Sequence, residues 1–453
     1  MSDLLRVQNS QEGFSLDVGI LGGGLAGLLL AYELKKLGIR ATVIEKEPTV
    51  GGLCRSLNVN GYTFDYGSHI LFSKDKALLE YLLKFLNGNY ISHYRNTKIL
   101  YKGKLVKYPF ENGLHDLDIN ERYECVIDFI NAYIARNYEK KTPPQNFKEW
   151  CYYVFGKSIS EKYLIPYNEK IWKRPLEEIS LEWVGGRVPN PPFEDILKSA
   201  LGIPTEGYTH QLNFYYPLRG GIQALVEGIA SKLDRSQILT EFEVKTLKIE
   251  DQKFYISNGK KELEFDKVIS SIPLLELIKA IKNVPKDIVN ISRRLQYNSL
   301  VVIMLGLPKS AILVKNVHWL YVPHEGIFHR ISFLHNYSQH MAPKNKGSIL
   351  AEVSIPNGKK PNLKEILEIT KEDLEKLCII KNKEDTEIEH AEYVKYAYIV
   401  YDHAYTISRE TIIKYLKSIG IDVLGRFGSW KYLNMDAVAL DVLSYVKNLG
   451  DIY

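Results

Sequence analysis

One turn constrains this chain more than anything else in it: three glycines, Gly22, Gly24 and Gly27, set between an apolar strand and a helix. Val18-Gly19-Ile20-Leu21 reads as a buried strand, Leu28 to Leu37 as the helix, and Ala41 to Ile44 as a second strand ending on Glu45. Gly22 permits the sharp turn and Gly24 lets backbone amides approach a pyrophosphate. Gly27 lets the helix pack closely on the strand, so the unpaired N–H groups of the helix N-terminus face the phosphates. Glu45 stands where a carboxylate accepts both hydroxyls of an adenosine ribose. Strand, turn, helix, strand and acid in this order predict a Rossmann-type α/β unit, with Gly22, Gly24, Leu25, Ala26, Gly27, Glu45 and Lys46 at a dinucleotide.

A second glycine-rich approach follows. Gly51, Gly52 and Gly67 let main chain pass close to something flat or phosphorylated, and NAD proteins rarely need this second approach, so FAD is the expected cofactor. Gly52, Leu53, Gly67, Ser68, His69 and Ile70 are its expected contacts. His69 is the one side chain between Tyr62 and Phe72 expected to titrate near neutral pH; a flavin-side role and a packing role are equally open for it.

Composition limits what the rest can be. With 453 residues, 45% hydrophobic and 25% charged, the chain can bury a large core and form two or three domains. A net charge of +5 without a long Lys/Arg run calls for no nucleic acid. Cys54, Cys125, Cys151 and Cys378 are widely spaced, with no C-x-x-C or His-rich cluster, so no disulfide framework and no metal site are expected, and a reducing cytoplasm fits. The most apolar run, Val18 to Ala31, is broken by five glycines and too short to span a bilayer. Residues Met1 to Phe14 read as a frayed, polar leader rather than a signal.

Along the chain, Lys98-Ile99-Leu100-Tyr101 and Lys104 to Tyr108 form a hairpin signal around Lys102-Gly103. Helical spacing marks Tyr123 to Tyr138, Phe147 to Tyr153, Ser158 to Tyr163 and Pro192 to Leu201 as a helical insertion. Ile222 to Leu233 reads as a helix, Ile238 to Val244, Leu247 to Glu250 and Lys253 to Ser257 as strands, and Phe265 to Ile272 as a buried strand returning to the first sheet. Ser299 to Leu305, Trp319 to Val322, Ser348 to Ile355 and Glu392 to Tyr401 are longer β-type runs, and Leu363 to Lys376 is an amphipathic helix. A final helix, Ala437 to Leu449, offers a second N-terminus able to face an electron-rich ligand edge, which assigns Met435, Asp436 and Ala437 to the cofactor. The expected organisation is a discontinuous FAD-binding domain (15–90, 217–285 and 415–453), a helical domain (111–205) and an antiparallel β-sheet substrate domain (91–110, 206–216 and 286–414).

From about Val18 to Val446 the ordered motifs resemble the UDP-galactopyranose mutase family, within the wider amine-oxidase and protoporphyrinogen-oxidase fold. They are the turn at 22–27, Tyr66-Gly67-Ser68-His69-Ile70, Tyr108-Pro109-Phe110, Pro166-Tyr167-Asn168 with Trp172, Trp319-Leu320-Tyr321, Arg330 with Asn336-Tyr337-Ser338, Asp402-His403-Ala404-Tyr405, and Gly425-Arg426-Phe427-Gly428 with Trp430-Lys431-Tyr432. The resemblance implies interconversion of UDP-galactopyranose and UDP-galactofuranose through a flavin N5–sugar adduct, with FAD active when reduced, no net redox change, a reductant such as NAD(P)H, and a product destined for a cell-surface glycan. It also implies site roles. Arg330 and Arg426 would clamp the diphosphate, with hydroxyls from Tyr321, Tyr405 and Tyr432; Trp172 and Arg187 would lie along the sugar path; Tyr108 and Asn168 would hold the uridine; Tyr337 would complete the wall; His69 would sit at the flavin beside Arg426.

Residue chemistry is compatible with this, since arginine forks bind phosphate oxygens through charge-assisted bonds. Tyr321, Tyr337 and Tyr405 can equally be sheet aromatics, and Arg330 a structurally paired arginine. Glu111, Gln211 and Asn434 depart from the family pattern around the base and the flavin edge, which leaves base and sugar identity open. A mutase for another nucleotide sugar, a flavin oxidase or desaturase, and a non-enzymatic carrier are the alternatives. Loops around Arg187 to Pro192 and Gly202 to Gly207 suit a mobile lid, and exposed helical faces leave a homo-oligomer open.

Overall fold

A computed structural model describes residues 16–450 other than 140, 141, 186, 189, 208, 210 and 211. The leader expectation for Met1 to Phe14 and the departure at Gln211 lie outside the described residues. Everything is hung on β1 (Asp17–Leu21), a strand paired in parallel on both edges. It enters α1 (Leu25–Lys36), which returns to β2 (Arg40–Ile44) beside it. The other edge of β1 takes Lys267–Ser270, and Ile421–Val423 and Ile238–Leu239 complete the two outer positions of a five-stranded parallel sheet. Strands from four distant parts of the chain thus share one sheet. The run expected as a strand from Ile238 to Val244 stops after Leu239, because Glu241 takes a positive φ of 56° that breaks strand geometry.

Gly22 and Gly27 determine how tightly this unit closes. Gly22 has φ of 101°, and a Cβ on Gly27 would overlap the Gly22 carbonyl oxygen. Only glycine at both positions lets α1 sit directly on the strand end.

The second sheet has seven strands, in the order Ile388–Ile399, Tyr297–Pro308, Lys346–Pro356, Arg330–Phe333, Trp319–Tyr321, Thr97–Tyr101, Lys104–Lys107. All neighbours are antiparallel except Trp319–Tyr321 beside Thr97–Tyr101, which runs parallel. Its second strand, Tyr297–Pro308, is buried along nearly its whole length, since Leu363–Lys376 covers one face and the helical segment approaches the other. The strand Arg330–Phe333 is too short for its alternation to stand out in the sequence.

Helices Ile119–Asn137 and Phe147–Ile159 pack on each other, and a turn of π-helix (Ser160–Leu164) feeds Ile165–Trp172. Gly156, at φ of 76°, lets this pair approach: a Cβ there would strike the Asp128 carbonyl. No helix among the described residues is long and apolar enough to cross a membrane.

Gly27→Ala is expected to destabilise the fold by about 1–3 kcal/mol, the usual cost of overpacking. Urea unfolding with flavin absorbance as a second probe checks it; a wild-type midpoint and full flavin content would contradict the close-packing argument.

Candidate functional site

The dinucleotide side follows from the first turn. No side chain caps α1, whose N-cap is Gly24, so the amides of its first turn keep their capacity for an anion. The second glycine stretch lies directly on the first. Gly51 N donates to Gly23 O at 2.8 Å, and Gly24 forms a bridge to Gly51. A Cβ on Gly24 would meet only Gly52 Cα, at 3.9 Å, so this is a cradle bare of side chains over α1. Glu45 is buried and fixed by two amides, from Gly23 N to Oε2 at 2.7 Å and Glu47 N to Oε1 at 2.9 Å. Leu25 and Ala26 are buried beneath, while Lys46 is 64% exposed and pairs with Glu47. Met435 touches Cys54 through its sulfur at 3.7 Å, which brings the final helix, Met435–Gly450, with Asp436 and Ala437 in its first turn, to the residues just after Gly52 and Leu53. These features fit FAD: a side-chain-free phosphate cradle, an oriented acid, and a second helix start.

In the seven-stranded sheet, strand register aligns a second set of residues. Tyr321 pairs with Arg330 and Arg330 with Glu352 in antiparallel ladders, so the three side chains share one sheet face. Arg330 forks onto Glu352, Nε to Oε1 at 2.8 Å and Nη2 to Oε2 at 2.7 Å. The charge of Glu352 raises the Arg330 guanidinium further above its ordinary value against the effect of burial. Tyr108 packs on Tyr321 at 4.8 Å between ring centres, and Tyr167, one residue before Asn168, packs on Tyr321 at 5.1 Å. Asn168 itself donates to Leu164 O at 2.8 Å.

Arg426 and Arg187 flank Tyr432. Arg426 lies 3.9 Å from the Tyr432 ring centre and donates to Leu433 O at 3.0 Å and Ala397 O at 2.8 Å. Arg187 sits among Trp183, Tyr401 and Tyr432, 4.7, 4.9 and 5.3 Å from their ring centres, and donates to Tyr401 Oη and Tyr432 O. Neither has a carboxylate within ion-pair distance among the described residues.

His69 lies within the field of both Arg330 and Arg426, so the three residues expected to be catalytic come together. Burial first, then those two charges, lower its imidazole to about 4. This corrects the expectation that it titrates near neutral pH: protonation would place a third cation in a desolvated site. Its Nδ1 is buried with no hydrogen-bond partner among the described residues.

Three other expectations change. Tyr405 spends its hydroxyl on Trp430 O at 2.6 Å; Tyr401, stacked on it at 4.1 Å and as deeply buried, is the one whose hydroxyl accepts from Arg187. Both tyrosines belong to one short run, and the sequence does not say which turns toward the site. Trp172 is 2% exposed and edge-on to Trp183 at 4.6 Å. Tyr337 is fully buried, with its hydroxyl 2.5 Å from Ser68 Oγ. Glu352, Tyr398 and Tyr401 were not foreseen, since each sits in a strand or strand end whose alternation reads as ordinary packing.

Because the folded His69 resists protonation until about 4 while an unfolded histidine titrates near 6.5, folding stability falls as pH drops from about 6.5 toward 4. The His69 ring resonances in NMR are expected to stay constant from about pH 8 to about pH 5, whereas exposed histidines shift. A His69 midpoint near 6.5 would refute the buried neutral state.

Comparisons with known proteins bear on the family and the fold. The family described as flavin containing amine oxidoreductase matches residues 25–418. The dTDP-fucopyranose mutase of Escherichia coli is 24% identical over 201 residues, 42% of this chain and 51% of that protein. A probable UDP-galactopyranose mutase of Klebsiella pneumoniae is 22% identical over 202 residues, 43% of this chain and 52% of that protein. The chain therefore spans about half the length of these curated mutases. A crystal structure of reduced UDP-galactopyranose mutase superposes with a TM-score of 0.89 at 26% identity, over 97% of this chain and 95% of that one. A putative protoporphyrinogen oxidase from Exiguobacterium sp. 255-15 shares the fold, with a TM-score of 0.74 at 15% identity over 97% and 99%. The chain belongs to the flavin containing amine oxidoreductase family, and its cofactor is FAD.

Proposed function

We propose that this protein is a flavin-dependent mutase interconverting UDP-galactopyranose and UDP-galactofuranose. The observation that carries the reading is the arginine and tyrosine cluster around His69: Arg330 and Tyr321 on one strand pair, Arg426 and Arg187 on the ring of Tyr432, with both Arg330 and Arg426 acting on His69. An amine or hydrocarbon substrate gains nothing from such a cluster, which counts against the oxidase and desaturase alternatives. A diphosphate gains from every member of it.

Bound FAD in its reduced form supplies nucleophilic chemistry at the anomeric carbon, with no net redox change. The chain's residues do the rest. Arg426 and Arg187, lacking carboxylate partners, meet the charge that builds on the departing diphosphate, and Tyr321 and Tyr432 add rigid hydroxyl donors. His69 stays neutral, so it can exchange hydrogen bonds with the flavin edge without adding charge. Tyr108 and Asn168 hold the uridine. A cellular reductant such as NAD(P)H and a reducing compartment complete the proposal. The dTDP-fucopyranose mutase similarity keeps a second reading in view, a mutase for another nucleotide sugar.

Glu111 bears on that choice. It is 7% exposed, and burial raises its carboxyl to about 7. We place it at the base end, where below about 7 it donates a hydrogen bond to a uracil carbonyl and above it becomes an acceptor that repels one.

Three outcomes test these statements. Dithionite-reduced holoenzyme incubated with UDP-galactofuranose is expected to yield UDP-galactopyranose, with oxidised enzyme inactive; activity confined to the oxidised form would refute the reading. Arg426→Ala is expected to lower kcat by about 10²–10³-fold, as loss of one preorganised charged donor does. UDP affinity, measured by flavin absorbance titration, is expected to fall as pH rises through about 7 and to lose that step in Glu111→Gln.

A further inference from the structure

We propose that Glu352 is a positioning residue whose single buried carboxylate ties Arg330, on the diphosphate side, to the loop 67–70 on the flavin side. The proposal rests on the mutase reading and goes beyond it, because Glu352 itself touches no ligand atom in that reading.

Glu352 is 1% exposed and receives four hydrogen bonds from three separate segments. Oε1 accepts from Arg330 Nε at 2.8 Å and Ser68 N at 3.3 Å; Oε2 accepts from Arg330 Nη2 at 2.7 Å and Tyr398 Oη at 3.1 Å. Ser68 is held a second time, since Ser332 Oγ donates to Ser68 Oγ at 2.8 Å and Ser332 lies two residues beyond Arg330 on the same strand and face. The loop that carries His69 is thereby bonded to the strand that carries Arg330 at two points, one of them through the carboxylate. Tyr398, which also bonds Glu352, stacks on Tyr432 at 6.3 Å, so the same carboxylate reaches toward the Arg426 side.

Stability alone does not account for such a pair. An ion pair buried at this depth is often no better for folding than apolar residues of equal volume, because desolvation offsets its Coulomb attraction. Direction is what the fork supplies. Two parallel bonds fix the guanidinium plane and leave Nη1 outside the pair, and a misplacement of about 1 Å in such a group can cost about 10²-fold in rate. Glu352 also matches the charge of Arg330, so Arg330 contributes alignment while the net positive charge comes from Arg426 and Arg187.

The test compares wild type, Glu352→Gln, Arg330→Lys and the double variant as holoenzymes, with Glu352→Asp as the conservative control. Glu352→Gln is expected to lower kcat about 10²-fold while KM and flavin content stay within about threefold, a split that a purely structural lesion does not give. Glu352→Asp, which keeps the charge, is expected to regain at least about tenfold of that loss. The double variant is expected within about threefold of Arg330→Lys, since the carboxylate acts through the arginine. UDP titrated into the oxidised holoenzymes gives the same cycle without turnover: Glu352→Gln shifts Kd about fivefold alone and under about twofold in the Arg330→Lys background. Equal losses in both backgrounds, or wild-type kcat in Glu352→Gln, overturn the proposal. Should Glu352→Gln fail to hold flavin, Glu352→Asp decides by the same comparison in the two backgrounds. A wild type that binds UDP without isomerising the sugar sinks the mutase reading alone, and the UDP cycle still decides the role of Glu352; a wild type that does not bind UDP overturns both.

Discussion

A strand that is hydrogen-bonded in parallel on both edges cannot move without breaking two ladders, and β1 is such a strand. Its C-terminal end delivers Gly22 and α1, its neighbours deliver Glu45 and Ser270, and the Gly425 turn packs on Ala26 with φ of 75°, where a side chain would collide with that alanine. Arg426 follows Gly425 immediately. The position of Arg426 is thus set by close packing of the Gly425 turn against the first helix, some 400 residues earlier. Rigidity at this one junction transmits to both halves of the site.

The three arginines differ in what holds them, and the difference has consequences. Arg330 is matched by Glu352, whereas Arg426 and Arg187 rest on backbone carbonyls and aromatic faces. Cations held by carbonyl dipoles and ring quadrupoles keep their net charge, and in a partly desolvated cleft that charge attracts an anion strongly. Burial first, and then the charges of Arg330 and Arg426, keep His69 neutral. Arg426 and Arg187, without a carboxylate in ion-pair distance among the described residues, thus lie in a site whose imidazole is neutral.

Legibility in the sequence varied with the range of the interaction. Leu363–Lys376 and Lys253–Ser257 fall on their predicted bounds, because each is decided by its own periodicity. The returning strand Lys267–Ser270 was visible as an apolar run closed by Pro273. By contrast, Tyr405 and Tyr401 are four residues apart, with the same side chain and similar surroundings in sequence. Only the fold gives the Tyr405 hydroxyl to Trp430 O and the Tyr401 hydroxyl to Arg187. Trp172 and Tyr337 belong to the right motifs, yet packing places them one layer behind the surface.

The amino-acid order by itself determined the nucleotide cradle, because a glycine turn, a helix start and an acid at the next strand end are local and sterically compelled. It also determined that arginines and tyrosines of a diphosphate-binding kind are present. Tertiary structure decided which of them face one another. Glu352 joins Arg330 through strand register, and Arg187 joins Tyr401 through the docking of a helical segment on a sheet, contacts spanning 22 and 214 residues. Likewise, burial with the charges of Arg330 and Arg426, which no local pattern encodes, lowered His69, and burial raised Glu111. Register and burial are properties of the assembled fold, so the protonation states and the pairing of charges could be read only there.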